Sequence, residues 1–175
     1  MTAARNTFSV AQTDLNNLRN DLQSQREDID AGTARYGTSE IMRALKGTCT
    51  SIDSGEYTYE LCILDRLTQK SKKGGGDTSL GSFTGLQEVD MDEEVPADGK
   101  GLGRGRRLAM KYENGQTCWN GPARSALVVM GCAEKVEIWR VREEEKCVYR
   151  VEMGSPAGCE AGEERQGRSK ERDEL

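Results

Sequence analysis

The sequence predicts a mainly β fold, a small disulfide-bonded antiparallel β-sandwich or flattened β-barrel preceded by an N-terminal α-helix, and three observations predict it. Apolar residues recur at heptad spacing up to about residue 36 and at a period near two from residue 48 onward. The six cysteines all fall in the second part, from Cys49 to Cys159. The chain is also poor in core material, with 35% hydrophobic residues and only nine aromatics (two Trp, five Tyr, two Phe) among 175, so crosslinks must supplement burial.

In the first segment Phe8, Ala11, Leu15, Leu18, Leu22, Gln25 and Ile29 follow one another at intervals of 3 and 4, which is an a/d seam. Arg19, Asp21, Arg26 and Glu27 lie on the faces outside it, and Gly32 and Gly37 bracket its end. Residues 1–36 therefore read as an amphipathic heptad helix, the end of a coiled-coil region. Such a helix packs on a partner helix or on a further part of the protein; otherwise it docks singly or frays.

From residue 48 to 64, Tyr57, Tyr59, Leu61 and Ile63 alternate with Thr58, Glu60, Cys62 and Leu64. The turn signal Asp53-Ser-Gly55 makes this a hairpin with Cys49 opposite Cys62. Further strands are expected at Arg107 to Tyr112, Ser125 to Met130, Lys135 to Val141 and Lys146 to Met153. Two stretches read as exposed loops: Lys70 to Gly81, which holds Gly74-Gly75-Gly76, and the acidic, glycine-rich run from Leu86 to Gly105. Neither has the glycine spacing or lysine of a phosphate cradle. Residues 161–175 are polar and charged, and are expected to be disordered.

Composition removes several functions. No run of 18 apolar residues exists to span a bilayer as a helix. There is no His, hence no Ser-His or Cys-His nucleophile pair and no His-containing metal site; neither a metal nor a cofactor is expected. A net charge of −5 with mixed signs argues against nucleic acid as a partner.

The chain ends in Arg172-Asp173-Glu174-Leu175, close to the K-D-E-L retrieval signals. An endoplasmic reticulum lumen, with an ER-retrieval receptor as partner, is the expected location, and it is the oxidising compartment that paired cysteines need. Met1-Thr-Ala-Ala-Arg5 starts no signal peptide, so the chain is expected to be a C-terminal piece of a longer precursor.

Several motifs occur in order over residues 49 to 159: Tyr57-Thr-Tyr59 before Cys62, Leu67-Thr-Gln69-Lys70, Thr78-Ser-Leu-Gly81, Ala109-Met-Lys-Tyr112, Cys118-Trp-Asn-Gly-Pro-Ala-Arg124, and Glu143 followed by Cys147-Val-Tyr149. Together they resemble the mannose 6-phosphate receptor homology (MRH) domain, a lectin module, in the version carried by the non-catalytic beta subunit of glucosidase II. On this resemblance, residues 47–160 form an MRH lectin domain.

The resemblance implies that Gln69, Arg124, Glu143 and Tyr149 hold a terminal mannose. Gln69 and Arg124 would take the 2-hydroxyl, Glu143 and Tyr149 the 3- and 4-hydroxyls, and Trp119 would line the site. The residue types suit the task, because mannose differs from glucose only in its axial 2-hydroxyl and must be read by directed donors and acceptors. The implied disulfides are Cys49 with Cys62, Cys118 with Cys147, and Cys132 with Cys159. Six cysteines allow 15 pairings, and the hairpin alone supports only the first.

Read without the family, each position has a plainer alternative. Arg124 is then a strand-start charge, Tyr149 a core residue by its parity with Cys147 and Val151, and Gln69 a loop residue. Glu144 is the nearest rival of Glu143. Two departures from the pattern are the long acidic segment from Leu86 to Arg107 and Phe83 where the family carries a Trp-containing stretch.

The implied function is a non-catalytic mannose-binding lectin that recognises high-mannose N-glycans and assists glucose trimming in glycoprotein quality control, with the glucosidase II alpha subunit as catalytic partner. Alternatives are an ER-degradation-type lectin, a non-lectin disulfide-stapled interaction module, and a glycosidase using two of Glu113, Glu143, Glu144 and Glu145 as paired carboxylates.

Overall fold

The computed structural model describes residues 2–159; the expected tail and the Arg172–Leu175 signal lie outside them. Two compact units divide the chain, Met1–Ile41 and Met42–Leu175. In the first, α1 (Thr2–Tyr36) covers the heptad segment. Gly32 leaves helical geometry at φ 46° inside it, and the helix stops before Gly37 at φ 75°, where a residue lacking Cβ is favoured. The hydroxyl of Tyr36 donates to the carboxylate of Asp28.

The second unit is an eight-stranded sheet of β1 (Cys49–Ser54), β2 (Tyr57–Cys62), β3 (Arg66–Ser71), β4 (Thr78–Asp92), β5 (Arg104–Glu113), β6 (Ser125–Cys132), β7 (Glu137–Glu145) and β8 (Val148–Ser155). Strand order is β1-β2-β3-β4-β5-β6-β8-β7. Neighbours run antiparallel as expected, except β6 and β8, which pair in parallel; β8 thus lies between β6 and its own hairpin partner β7. The edge strands β1 and β7 come side by side, so the sheet curls into a nearly closed barrel.

One face of β2, β3, β5, β6 and β8 fills that barrel. Leu61 pairs with Leu67, Met110 with Val128, Val128 with Val151 and Met130 with Met153, and all of these are buried. At the centre the Tyr112 hydroxyl receives the Leu64 N–H and donates to the Cys62 carbonyl, both at 3.2 Å. Burial pushes that phenol far above its ordinary pKa. Gly81 (φ 137°) sits where β3 and β4 shift register; a Cβ there would come within 2.7 Å of the β5 backbone at Glu113. Three disulfides, Cys49–Cys62, Cys118–Cys147 and Cys132–Cys159, supplement this small core.

The two expected loops need correction. Lys70 and Ser71 complete β3 and Thr78 opens β4, leaving only 72–77 as connection. The acidic run is strand as far as Asp92, and strand again from Arg104. The period-two signal is present in Leu86-Gln-Glu-Val-Asp-Met-Asp92: Val89 and Met91 pack on the outer face of the sheet, while Glu88, Asp90 and Asp92 face Arg104 and Arg106 across the ladder. The acidic alternate residues thus answer a basic partner strand. Between the strands the chain returns over the sheet and buries Leu102, 2% exposed, against Ala109, Val129 and Trp139.

Leu102→Ala is accordingly expected to cost about 2–5 kcal/mol of stability, the range for truncating a buried leucine. Urea unfolding followed by circular dichroism checks this, and a midpoint equal to that of the parent would return the segment to the status of a solvated loop.

Candidate functional site

The register of the strands carries Tyr59, Gln69, Glu143 and Tyr149 to one end of the barrel on its inward-facing side. Tyr59 pairs with Gln69 across β2 and β3, with the parity of the buried Leu61 and Leu67. Tyr149 pairs with Ala126 on β6 and with Glu143 on β7. Arg124 lies just before β6, near enough to Tyr149 to influence its phenol. Barrel closure then joins the two edges of the sheet, and the rings of Tyr59 and Tyr149 meet with centroids 6.4 Å apart.

Each side chain is held by a different device. Gln69 Nε2 donates to the Tyr59 hydroxyl at 3.0 Å, leaving its amide oxygen free of that bond. Arg124 Nη1 donates to the carbonyls of Gln116 and Thr117, both at 3.1 Å, which fixes the guanidinium against the segment before it. Its Nε is buried without a hydrogen-bond partner among the described residues. Glu143 accepts the Cys147 N–H at 2.7 Å, and Cys147 adopts φ 66° in the tight β7–β8 turn. Ser125 N–H closes the arrangement on the Cys147 carbonyl at 3.1 Å. The Cys118–Cys147 disulfide therefore ties the segment carrying Trp119 to the turn that aims Glu143 and Tyr149.

Electrostatics agree with this clustering. Burial raises the Tyr149 phenol above its ordinary value; a hydrogen bond with Arg124 works against that, and the Glu143 charge adds to it. Tyr59 is raised likewise by burial, opposed by its bond with Gln69 and reinforced by Glu143. Both phenols remain neutral at physiological pH, able to donate as well as accept.

Four of the expected residues, Gln69, Arg124, Glu143 and Tyr149, are thus gathered at one mouth, while Trp119, 85% exposed, follows Cys118, which is bonded to Cys147. The rivals separate by register. Glu144 falls at the register shift between Glu143 and Glu145 and turns to Arg150 at 3.8 Å, and Glu113 accepts from Thr84 at 2.7 Å. Tyr149 is 5% exposed: its ring belongs to the core, as parity alone suggests, while its hydroxyl belongs to the polar cluster. The sequence reading assigned no role to Tyr59. The alternation in Tyr57-Thr-Tyr-Glu-Leu61 puts it on the inward face with Leu61, but only barrel closure brings it to Tyr149. Among the described residues no group of His, Cys, Asp and Glu is arranged to hold a metal.

A family model described as glucosidase II beta subunit-like protein matches residues 5–174. The chain is 34% identical over 176 residues to glucosidase 2 subunit beta of Mycosarcoma maydis, covering 99% of this chain and 28% of that protein. It is 32% identical over 124 residues to glucosidase 2 subunit beta of Homo sapiens, covering 71% and 21%. The chain thus spans less than a third of the length of these relatives. Among solved structures it is similar to the MRH domain of glucosidase II beta bound to mannose, with 36% identity, TM-score 0.48, and 67% and 99% of the two chains covered. It is also similar to the MRH domain of Yos9 complexed with alpha3,alpha6-Man5, with 19% identity, TM-score 0.51, and 68% and 81% covered. The latter likeness shows the MRH fold.

Proposed function

The chain belongs to the glucosidase II beta subunit-like family, and from that premise we propose that its β domain is a non-catalytic lectin that binds mannose on high-mannose N-glycans. The observation that carries this reading is the meeting of Gln69, Arg124, Glu143 and Tyr149 at one mouth of the barrel, with polar capacity to spare. Gln69 uses its Nε2 on the Tyr59 hydroxyl and Glu143 one oxygen on the Cys147 N–H, which leaves the Gln69 amide oxygen and the second Glu143 oxygen outside those bonds and suited to hexose hydroxyls.

In this reading the Gln69 amide and the Arg124 guanidinium take the axial 2-hydroxyl. The Glu143 oxygen not engaged by Cys147 accepts from the 3- and 4-hydroxyls, and the neutral Tyr149 hydroxyl completes that edge. Trp119 offers its indole face to the apolar side of the ring or to the next residue of the glycan. The domain makes and breaks no bond; it holds glycoproteins near a catalytic alpha subunit that removes glucose, in the lumen of the endoplasmic reticulum. The terminal Arg172-Asp-Glu-Leu175 supports that location through a retrieval receptor, as do three disulfides.

Binding of the purified chain to immobilised high-mannose glycan, competed by free mannose and unaffected by galactose at the same concentration, is the expected result. Galactose competing equally, or no retention at all, would overturn the lectin reading. Turnover of a model glucoside, proportional to protein and lost in Glu143→Gln, would replace it with a hydrolase.

A further inference from the structure

The exposed side chains of the heptad helix are ordered by position. Among the described residues of α1, Phe8 (70% exposed), Leu15, Leu18 (66%), Leu22 and Ile29 all stand in solvent. With Phe8, Leu15, Leu22 and Ile29 at a, the d positions are Ala11, Leu18 and Gln25. The g positions are then Asp14, Asp21 and Asp28, and the e positions between them are Arg19 and Arg26. Between Phe8 and Ile29 the one charge away from these flanks is Glu27, at f. The outer b, c and f positions otherwise carry Ser9, Val10, Thr13, Asn16, Asn17, Asn20, Gln23 and Ser24.

Three of these charges do not serve an isolated helix. Single-helix stabilisation needs opposite charges three or four residues apart. Asp14, Arg19 and Asp21 have no such partner at either spacing within α1. Their separation is five residues, from Asp14 to Arg19 and from Asp21 to Arg26, and that is the offset at which a g residue meets the following e residue of a parallel neighbour. Two copies of this helix in parallel register would form Asp14–Arg19 and Asp21–Arg26 contacts in both directions across the seam. An antiparallel arrangement would face g with g and e with e, setting aspartates against aspartates and arginines against arginines.

We infer that α1 is a self-association element: its seam is covered by the same helix of a second copy of this chain, in a parallel two-stranded coiled coil. The polar Gln25 at d supports this choice of occupant, because in register it meets its own copy, amide to amide, and would be left unpaired in a slipped alignment. Both chains then leave the coiled coil at the same end. The inference does not depend on the sugar reading, since none of its residues is among those proposed to hold the sugar.

Sedimentation velocity of the 175-residue chain over rising concentration should show a reversible monomer–dimer equilibrium. Asp14→Arg with Asp21→Arg makes both flanks basic, and Arg19→Asp with Arg26→Asp makes both acidic. Each double variant alone should dimerise at least tenfold more weakly, and an equimolar mixture should recover the dimer. That recovery separates lost charge pairing from misfolding. Ala11→Cys, at a d position, should give a covalent dimer in a glutathione redox buffer, which an antiparallel pair cannot form. A chain that stays monomeric at high concentration, a dimer indifferent to the reversals, or a dimer with no Ala11→Cys crosslink would each overturn the inference.

Discussion

Arg124→Ala is expected to lower affinity for mannose roughly 10- to 150-fold while leaving the fold in place. That range corresponds to the loss of a hydrogen bond to a charged donor, about 1.5–3 kcal/mol. Arg124 sits just before the first residue of β6. What it supports is the mouth: Nη1 fixes the carbonyls of Gln116 and Thr117, and its neighbourhood holds down the pKa of the Tyr149 phenol against burial. Arg124→Lys should recover little, because an ammonium keeps the charge and loses the planar fork that reaches two carbonyls and a ligand together. Titration calorimetry with mannose, beside circular dichroism and a thermal melt, decides the matter. Undiminished binding in Arg124→Ala would remove the assignment of this mouth as the sugar site, and a melt lowered as much as the binding would make Arg124 a structural residue instead.

How far the site could be read from sequence depends on which physical signal each residue leaves there. The β1–β2 hairpin is local: turn chemistry at Asp53-Ser-Gly55 and period-two alternation place Cys49 opposite Cys62, as the register has it. Tyr149 is legible from its strand as a buried side chain, and that is half of its character. Its polar half appears only when β8 inserts between β6 and β7, a non-local pairing no window of residues encodes. Gln69 lies on β3, a strand too polar to show an apolar alternation, and only the resemblance singled it out. The choice of Glu143 over Glu144 rests on one step of register against Tyr149. The acidic hairpin misled because charge density outweighed its period; Glu88, Asp90 and Asp92 are the solvent face of a strand whose other face is apolar.

Replacing Cys118 and Cys147 together by Ser should abolish mannose binding even where the protein remains folded, whereas replacing Cys132 and Cys159 should not. The two crosslinks close loops of similar length, with sequence separations of 29 and 27. In the chain-entropy model each contributes about 3–4 kcal/mol by restricting the unfolded chain, so both double variants should lose comparable stability. Their positions differ. Tyr149 pairs with Ala126 at the start of the β6–β8 ladder, and Ser155 pairs with Cys132 at its end, six rungs or roughly 20 Å away at the rise of a strand. Cys118–Cys147 therefore holds the turn on which the Glu143 carboxylate closes and the segment carrying Trp119 and Arg124, while Cys132–Cys159 staples the opposite end. Affinity measured well below each variant's melting temperature separates the two contributions. Equal loss of affinity in both variants would mean that crosslinking acts only through global stability, and that the mouth keeps its shape without its own disulfide.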